Sequence, residues 1–134
     1  MLVDANIFID VFGNDPVWKD WSLSQLKAQS FKQDLVINHI IYAEISLSFT
    51  ASEQLDAFLE EARIVVLGIP KDAAFLAGKA FAQYRKNGGT KTNVLSDFFI
   101  GAHAQVAGMP ILTRDVQRYR AYFPDVPLVT PTMQ

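Results

Sequence analysis

Four carboxylates lie in apolar stretches of the sequence, and they are the residues whose types and spacing suggest chemistry. Asp4 ends the apolar run MLV, Glu44 interrupts IIYAEISLSF, Asp97 opens DFFIGAHA and Asp115 follows PILTR. A buried carboxylate without a partner is costly, and it normally takes up a proton instead. A divalent cation would explain all four together, because carboxylate oxygens are the ligands that Mg²⁺ or Mn²⁺ prefers and the cation cancels their repulsion.

The places of these residues along the chain favour one shared site. Asp4 and Asp115 each follow a predicted strand, and Asp97 lies at the start of a predicted helix. In an open parallel sheet, ligands bind in the crevice beyond the carboxyl ends of the strands. A carboxylate–metal cluster there can activate water and stabilise the leaving oxygen in phosphodiester cleavage. Asn6 and Thr113 lie two residues from such ligands, where they could hydrogen-bond water or a carboxylate.

Each residue also has an ordinary structural explanation when it is taken alone. Asp97 and Asp115 are both suited to the first turn or the cap of a helix. Asp4 is suited to a turn, and Glu44 to the solvated edge of a helix. The asparagine and threonine nearby are equally suited to a turn and to a strand end. These explanations do not exclude a site, because an aspartate that caps a helix can also bind a metal.

The elements that must position these residues alternate between strands and helices. Strands are predicted over 1–3, 34–37, 63–69, 110–113 and 126–130, the third of them as a buried parallel strand. Helices are predicted over 17–30, 39–49 with Asn38 as its cap, 52–62, 71–87, 96–107 closed by Gly108, and 115–122, with a loop over 88–93. This alternation predicts an α/β fold, a three-layer sandwich with a mostly parallel sheet flanked by helices. Without repeats or linkers, residues 1–134 are expected to form a single domain.

Composition excludes several classes of protein. The chain has 134 residues, of which half are hydrophobic, a formal charge of −2 and no cysteine. Such a composition is globular, and it argues against disorder, against a generally basic nucleic-acid binder and against thiolate zinc sites. No apolar run reaches the roughly 18 to 20 residues of a membrane span. The N-terminus lacks the pattern of a signal peptide, so we expect a soluble, cytoplasmic protein without a membrane partner.

Four segments, in their order along the chain, resemble those of a known family. LVDANIFID, YAEIS, LSDFFIGAHAQVAG and ILTRDVQRYRAYFP resemble the PIN-domain ribonucleases, and especially the VapC-type toxins of bacterial toxin–antitoxin pairs. The resemblance runs from Asp4 to about Pro131. The family pattern is an aspartate after the first strand, a glutamate in an early helix and two later aspartates. The resemblance therefore implies that Asp4, Glu44, Asp97 and Asp115 are the catalytic residues and the ligands of Mg²⁺ or Mn²⁺.

The resemblance also implies a function and partners. It implies a divalent-metal-dependent endoribonuclease, the toxin of such a pair, which acts as a homodimer and is silenced by a small cognate antitoxin. The alternative is a catalytically inactive PIN-like module that binds RNA or protein, although the acidic set is intact. Phosphatases with D-x-D after the first strand fit less well, because Asn6 replaces the second aspartate. Receiver domains also fit less well, because the third predicted strand is followed only by Asp72.

An RNA substrate requires cations near the acidic residues. The candidates for phosphate contact are Arg85, Lys86, Lys91 and Arg114, together with Arg118 and Arg120. A solvated helix end is the alternative explanation for each of these. His39 and His103 are expected to be packing or surface residues. Trp18 and Trp21 are expected to pack in the core or against a partner, with base stacking as the alternative.

Overall fold

A five-stranded parallel sheet organises the chain in the computed structural model, which describes residues 1–91 and 93–131. The strands are β1 Leu2–Val3, β2 Val36–Asn38, β3 Val65–Leu67, β4 Ile111–Leu112 and β5 Leu128–Val129. Every strand pair is parallel, and the strand order is β3-β2-β1-β4-β5. Thr92, in the predicted loop, and residues 132–134, at the end of the predicted domain, lie outside the described residues.

Helices cover both faces of this sheet. They are α1 Ala5–Phe12, α2 Lys19–Ser30, α3 His39–Ile45, α4 Ser52–Glu61, α5 Lys71–Lys86, α6 Leu95–Ala107 and α7 Gln117–Tyr122. Helix α1 packs against α2 and α3, whereas α6 packs against α5 and α7. Right-handed crossovers put these two groups on opposite faces of a parallel sheet. The predicted three-layer α/β fold is therefore confirmed. No helix within the described ranges is both long enough and apolar enough to span a bilayer.

The strand order reverses beside β1. From β1 the chain proceeds to β2 and β3 on one side, and it then returns to place β4 and β5 on the other side. The crossover helices of the two halves diverge at such a point, and a crevice opens between the carboxyl ends of the two central strands. Here those two strands are β1 and β4, so the fold presents whatever follows Val3 and Leu112 to one crevice.

The prediction of a buried strand over 63–69 is wrong. Strand β3 covers Val65–Leu67, lies last in the strand order, and leaves 55% of Val65 exposed. A β-branched run suits any pleated, half-buried surface, so its composition does not distinguish an edge strand from a central one.

Helix α1 has no counterpart among the predicted elements. Asp4 caps it, since the Oδ1 atom of Asp4 accepts the amide of Ala5 at 2.8 Å. The apolar run that follows has a helical periodicity, with Ile7 and Phe8 buried and Ile9 largely exposed. The run is only two turns long, and a short apolar run resembles a strand as much as a helix.

Six predicted helix ends are displaced by one to four residues, and the end of α3 is displaced the most. Helix α3 begins at its predicted cap, where the Asn38 Oδ1 atom accepts the amide of Ile41 at 3.0 Å. It ends at Ile45, and Ser46–Ser48 form a 3₁₀ turn in which the hydroxyl of Ser46 donates to the carbonyl of Ala43. Such bonds from serine to its own backbone compete with the α-helical ladder. Helix α6 starts at Leu95, one residue early, and α7 starts at Gln117, two residues late.

Gly101→Ala and Gly78→Ala should change stability in opposite directions. Gly101 lies inside α6, where an added methyl group would run into the buried ring of Phe123. Overpacking of this kind costs about 1–3 kcal/mol. This cost cancels or exceeds the stabilisation that alanine, with its higher helix propensity, would otherwise add. Gly78 lies in α5 with open space around it, so alanine there should add about 1 kcal/mol. Urea unfolding of both variants measures the contrast, and equal stabilisation of both would contradict the close packing of α6 on Phe123.

Candidate active site

The register of β1 and β4 brings the first and last predicted ligands to the same edge of the sheet. The amide of Asp4 donates to the carbonyl of Leu112 at 2.9 Å, and the amide of Thr113 donates to the carbonyl of Val129 at 3.0 Å. Parallel strands end at the same edge, so Asp4, Thr113 and Asp115 all emerge at the point where the strand order reverses.

Asp4 is almost wholly buried, and the protein itself satisfies both of its oxygens. Besides the amide of Ala5, it accepts the hydroxyl of Thr113 at 2.8 Å and the hydroxyl of Tyr119 at 2.9 Å, both at Oδ2. Burial raises the pKa of Asp4, and the hydrogen bonds from Thr113 and Tyr119 oppose that rise. Asp4 therefore caps α1 with one oxygen and faces the β4 side of the crevice with the other.

Asn6 and Thr113 connect the two sides of this crevice. The side-chain amide of Asn6 donates to Thr113 Oγ1 at 3.2 Å and lies 3.5 Å from Asp4 Oδ2. Its oxygen accepts the amide of Arg114 at 3.2 Å. Thr113 Oγ1 in turn accepts the amide of Asp115 at 3.1 Å. These bonds hold the segment 113–115 against the start of α1, although the two lie more than 100 residues apart in the chain.

Asp97 and Glu44 approach the same crevice from α6 and α3, which contact one another. Burial raises the pKa of Asp97 to about 7, with further increases from the charges of Asp4, Asp115 and Glu44, and Arg118 opposes them. Burial, followed by the charge of Asp4, also raises the pKa of Glu44. The four predicted carboxylates are thus close enough to destabilise one another as anions.

A divalent cation suits this set of donors. One oxygen of Glu44 accepts the hydroxyl of Ser96 at 3.3 Å, but the other, Oε1, is buried and has no partner. A buried acceptor without a donor indicates a missing ligand, and a cation would also relieve the repulsion within the carboxylate group. As arranged, no three acidic or histidine side chains within 1–91 and 93–131 lie close enough together to hold a cation. Binding therefore requires side-chain movement or bridging water.

Arg114, one of the predicted phosphate contacts, forms an ion pair with a carboxylate outside the predicted metal-binding set. Its Nε and Nη2 atoms donate to the two oxygens of buried Asp10 at 2.6 and 2.7 Å. Its guanidinium carbon lies 5.1 Å from the ring centroid of Trp18. A bidentate pair of this kind uses the fork of donors that would otherwise recognise a phosphate. Without RNA, the fork of Arg114 is therefore paired with Asp10, and its role as an RNA contact stays a prediction.

Three more of the predicted phosphate contacts lie at the end of α5 and just after it. Arg85, Lys86 and Lys91 are exposed, and the guanidinium of Arg85 lies 5.7 Å from the ring centroid of Phe81. Among the residues that the structure describes, none of the three forms an ion pair with a site carboxylate. Their role as RNA contacts stays a prediction.

Three polar residues that the sequence analysis did not select take part in this network. Tyr119 donates to Asp4, Ser96 donates to Glu44, and Asp10 pairs with Arg114. Tyr119 follows Asp115 by four residues, which is one helical turn in the predicted helix over 115–122, although the helix itself begins only at Gln117. His103 is buried, where its Nδ1 atom lies 3.1 Å from the side-chain amide of Asn38.

The metal-free protein should lose stability as pH rises through neutrality. The folded-state pKa of Asp97, about 7, lies above its ordinary value of 3.8. The resulting stabilisation is complete below pH 4 and is lost as pH rises through 7. Relative to Asp97→Asn, the wild type should lose about 2 kcal/mol between pH 5 and 8. Urea unfolding in EDTA measures this difference, and subtraction of the variant removes the opposite contribution of His103, whose pKa burial lowers. Parallel pH profiles for the two proteins would contradict the buried, mutually repelling carboxylates.

Comparison with known proteins agrees with this architecture. The family model described as PIN domain matches residues 1–124. No curated protein matches the chain. Similar solved structures include VapBC2 from Rickettsia felis bound to a DNA fragment from its promoter (TM-score 0.73, 20% identity, 97% of each chain covered). VapBC-1 from nontypeable Haemophilus influenzae has a TM-score of 0.67 and 22% identity, with 96% of each chain covered.

A third similar structure is a toxin–antitoxin complex from Klebsiella pneumoniae. It has a TM-score of 0.63 and 22% identity, with 99% of this chain and 98% of that chain covered. At these identities the solved structures establish a shared fold. The family model, which spans most of the chain and all four carboxylates, establishes more. The chain belongs to the PIN domain family.

Proposed function

We propose that this protein is a Mg²⁺- or Mn²⁺-dependent endoribonuclease and the toxin component of a toxin–antitoxin system. The observation that carries the proposal is the convergence of Asp4, Glu44, Asp97 and Asp115 at the crevice beside β1, where burial and then the charges of the other three carboxylates raise the pKa of Asp97. Similarity in fold to a solved toxin–antitoxin complex supports the second part. The proposal includes a small cognate antitoxin, a homodimer and a cytoplasmic location.

The four carboxylates would hold the cation, directly or through water. When bound, a divalent ion supplies a polarised phosphate and a water that is nucleophilic near neutral pH. Thr113 and Tyr119 keep Asp4 oriented through its Oδ2 atom. Glu44 Oε1 is the free acceptor that could take a hydrogen bond from the attacking water in place of the cation.

The reaction is hydrolysis of a phosphodiester. The oxygen of water forms a bond to phosphorus, the bond from phosphorus to the leaving oxygen breaks, and one proton of the water ends on that leaving oxygen. The protein's contribution is to position the water in line with the leaving oxygen and to hold the phosphate, since the uncatalysed reaction lacks both constraints.

A catalytically inactive module that binds RNA or protein is the second candidate. Its specific support is that, in the described part of the chain, no three of the carboxylates lie close enough together to hold a cation as they stand. Large apolar side chains on the surface, such as Phe31, Leu47 and Phe75, are also suited to a protein partner.

Two measurements decide between these candidates. The purified chain should cut RNA in the presence of Mg²⁺ or Mn²⁺ and stop when EDTA is added. Calorimetry should show binding of Mn²⁺ that is weaker in Asp97→Asn. RNA that is bound but never cut with either metal would establish the inactive module instead. Sequencing of RNA ends after brief expression in cells would report the activity and its target together.

A further inference from the structure

Two buried side-chain atoms lack a hydrogen-bond partner in the described part of the chain, and their chemistry is opposite. One is Glu44 Oε1, an acceptor, and the other is Arg118 Nε, a donor. Both side chains lie beside Asp97, because Arg118 is 3.8 Å from it and Glu44 accepts the hydroxyl of Ser96, the residue just before Asp97, at 3.3 Å. Unpartnered buried groups are rare in folded proteins. An unpartnered acceptor and an unpartnered donor beside one carboxylate indicate a ligand with both a positive and a negative part, such as a phosphate with its bound cation.

Helix α7 holds Arg118 in a fixed position at the site. The next residue, Tyr119, is fully buried and donates to Asp4, so the helix cannot turn away from the crevice without breaking that bond. The guanidinium carbon of Arg118 lies 5.9 Å from the ring centroid of Tyr84, and only 12% of the side chain is exposed. The charged group is therefore held in place before any ligand arrives, as recognition of a fixed phosphate requires.

The contact of Arg118 with Asp97 does not use its donors. The distance of 3.8 Å from Nη1 to Oδ2 is too long for a hydrogen bond. Nε has no partner at all. Arg114 differs in this respect, because two of its donors are taken by Asp10 at 2.6 and 2.7 Å. Of these two arginines, Arg118 keeps the planar fork that matches two phosphate oxygens.

We propose that Arg118 binds a non-bridging phosphate oxygen of the RNA substrate, beside the cation that Glu44 and its neighbouring carboxylates would hold. The assignment rests on the proposed endoribonuclease function. In the absence of RNA, Arg118 faces Asp97 as a loose counter-ion. With RNA bound, the free N–H groups of Arg118 donate hydrogen bonds to the phosphate. Arg118 therefore contributes to binding the substrate and to aligning it.

Three variants test this role. Arg118→Gln removes the charge and the fork, Arg118→Lys keeps the charge alone, and Arg63→Gln removes an equal charge from an exposed position just before β3, at the opposite edge of the sheet from the crevice. With Mn²⁺ and a short single-stranded RNA, Arg118→Gln should raise KM about tenfold, the size of one lost charge-assisted contact. It should also reduce the slope of log(kcat/KM) against log salt by about 0.7, as expected for one phosphate contact on a single strand. Arg118→Lys should recover part of the KM change, and Arg63→Gln should leave KM within about twofold of the wild type.

The affinity for Mn²⁺ separates a substrate contact from a counter-ion. Calorimetry should show that Arg118→Gln binds Mn²⁺ at least as tightly as the wild type, because a neighbouring cation has been removed. If Mn²⁺ affinity rises while KM and the salt slope equal those of Arg63→Gln, Arg118 is only a counter-ion and the assignment is wrong. If the wild type cuts no RNA, the proposed function fails. Fluorescence anisotropy with the same RNA then decides the assignment, which is overturned if Arg118→Gln binds RNA as the wild type does.

Discussion

Asp97→Asn should reduce kcat/KM for RNA cleavage by on the order of 100- to 1,000-fold, the cost of removing one preorganised charge-stabilising group. The change keeps the size of the side chain but removes the negative charge at the centre of the carboxylate group. It also places an amide donor where a cation would need an acceptor. Asp97 interacts with the charges of Asp4, Asp115 and Glu44 together, so its loss should weaken the whole ligand set. Initial rates at several Mn²⁺ concentrations measure the effect.

Asp125→Asn is a matched control for this change. Asp125 is an exposed aspartate just before β5, at the opposite edge of the sheet from the crevice, and its variant should cleave at the wild-type rate. Because Asp97→Asn relieves repulsion, it should be at least as stable as the wild type in EDTA at pH 8. A stable Asp97→Asn protein with wild-type activity would contradict the proposed site. A stable but inactive one supports it without any loss of fold.

Arg114→Ala should lower the free energy of unfolding by about 3 kcal/mol, the lower end of the cost of breaking a buried ion pair. Asp10 is 2% exposed and loses both charged hydrogen bonds, which leaves only the hydroxyl of Ser22 at 2.7 Å. The contact of the guanidinium with the ring of Trp18 is lost as well. The lower end applies because a quarter of the arginine side chain is exposed. Urea unfolding at pH 7 measures the loss.

A double variant shows whether Arg114→Ala loses stability because the charge of Asp10 is left unpaired or because packing contacts of the arginine are lost. Asp10→Asn combined with Arg114→Ala removes the charge that the single change leaves unpaired, so the double variant should be more stable than Arg114→Ala alone. Arg120→Ala, at an exposed position, should stay within about 0.5 kcal/mol of the wild type. If the double variant loses as much free energy of unfolding as the two single variants lose together, the charge pairing does not matter.

The same pair shows where sequence reasoning stops. Asp10 lies in an apolar run and Arg114 lies beside a predicted ligand, so each has a local explanation that does not involve the other. They are 104 positions apart in the chain, and they meet because α1 and the segment after β4 share one edge of the sheet. Side-chain pairing over such a separation depends on strand order, which periodicity does not report.

The predicted elements have the same limit. The alternation of apolar strands with amphipathic helices was sufficient for the α/β class, because each element must bury its own apolar face. It was not sufficient to separate the edge strand β3 from a central strand, since both carry β-branched residues. It also missed α1, whose two turns are too short for a helical period to be distinguished from a strand.

By itself, the sequence determined that Asp4, Glu44 and Asp97 lie in largely apolar surroundings, and it placed Asp4 and the exposed Asp115 just past predicted strands. These are local properties, set by the polarity of neighbouring residues and by the ends of single elements. Only the tertiary structure decided that β1 lies beside β4, that Tyr119 donates to Asp4, and that Arg114 is paired while Arg118 keeps a free donor. Those outcomes depend on contacts between distant segments, because burial and packing decide which polar groups find partners.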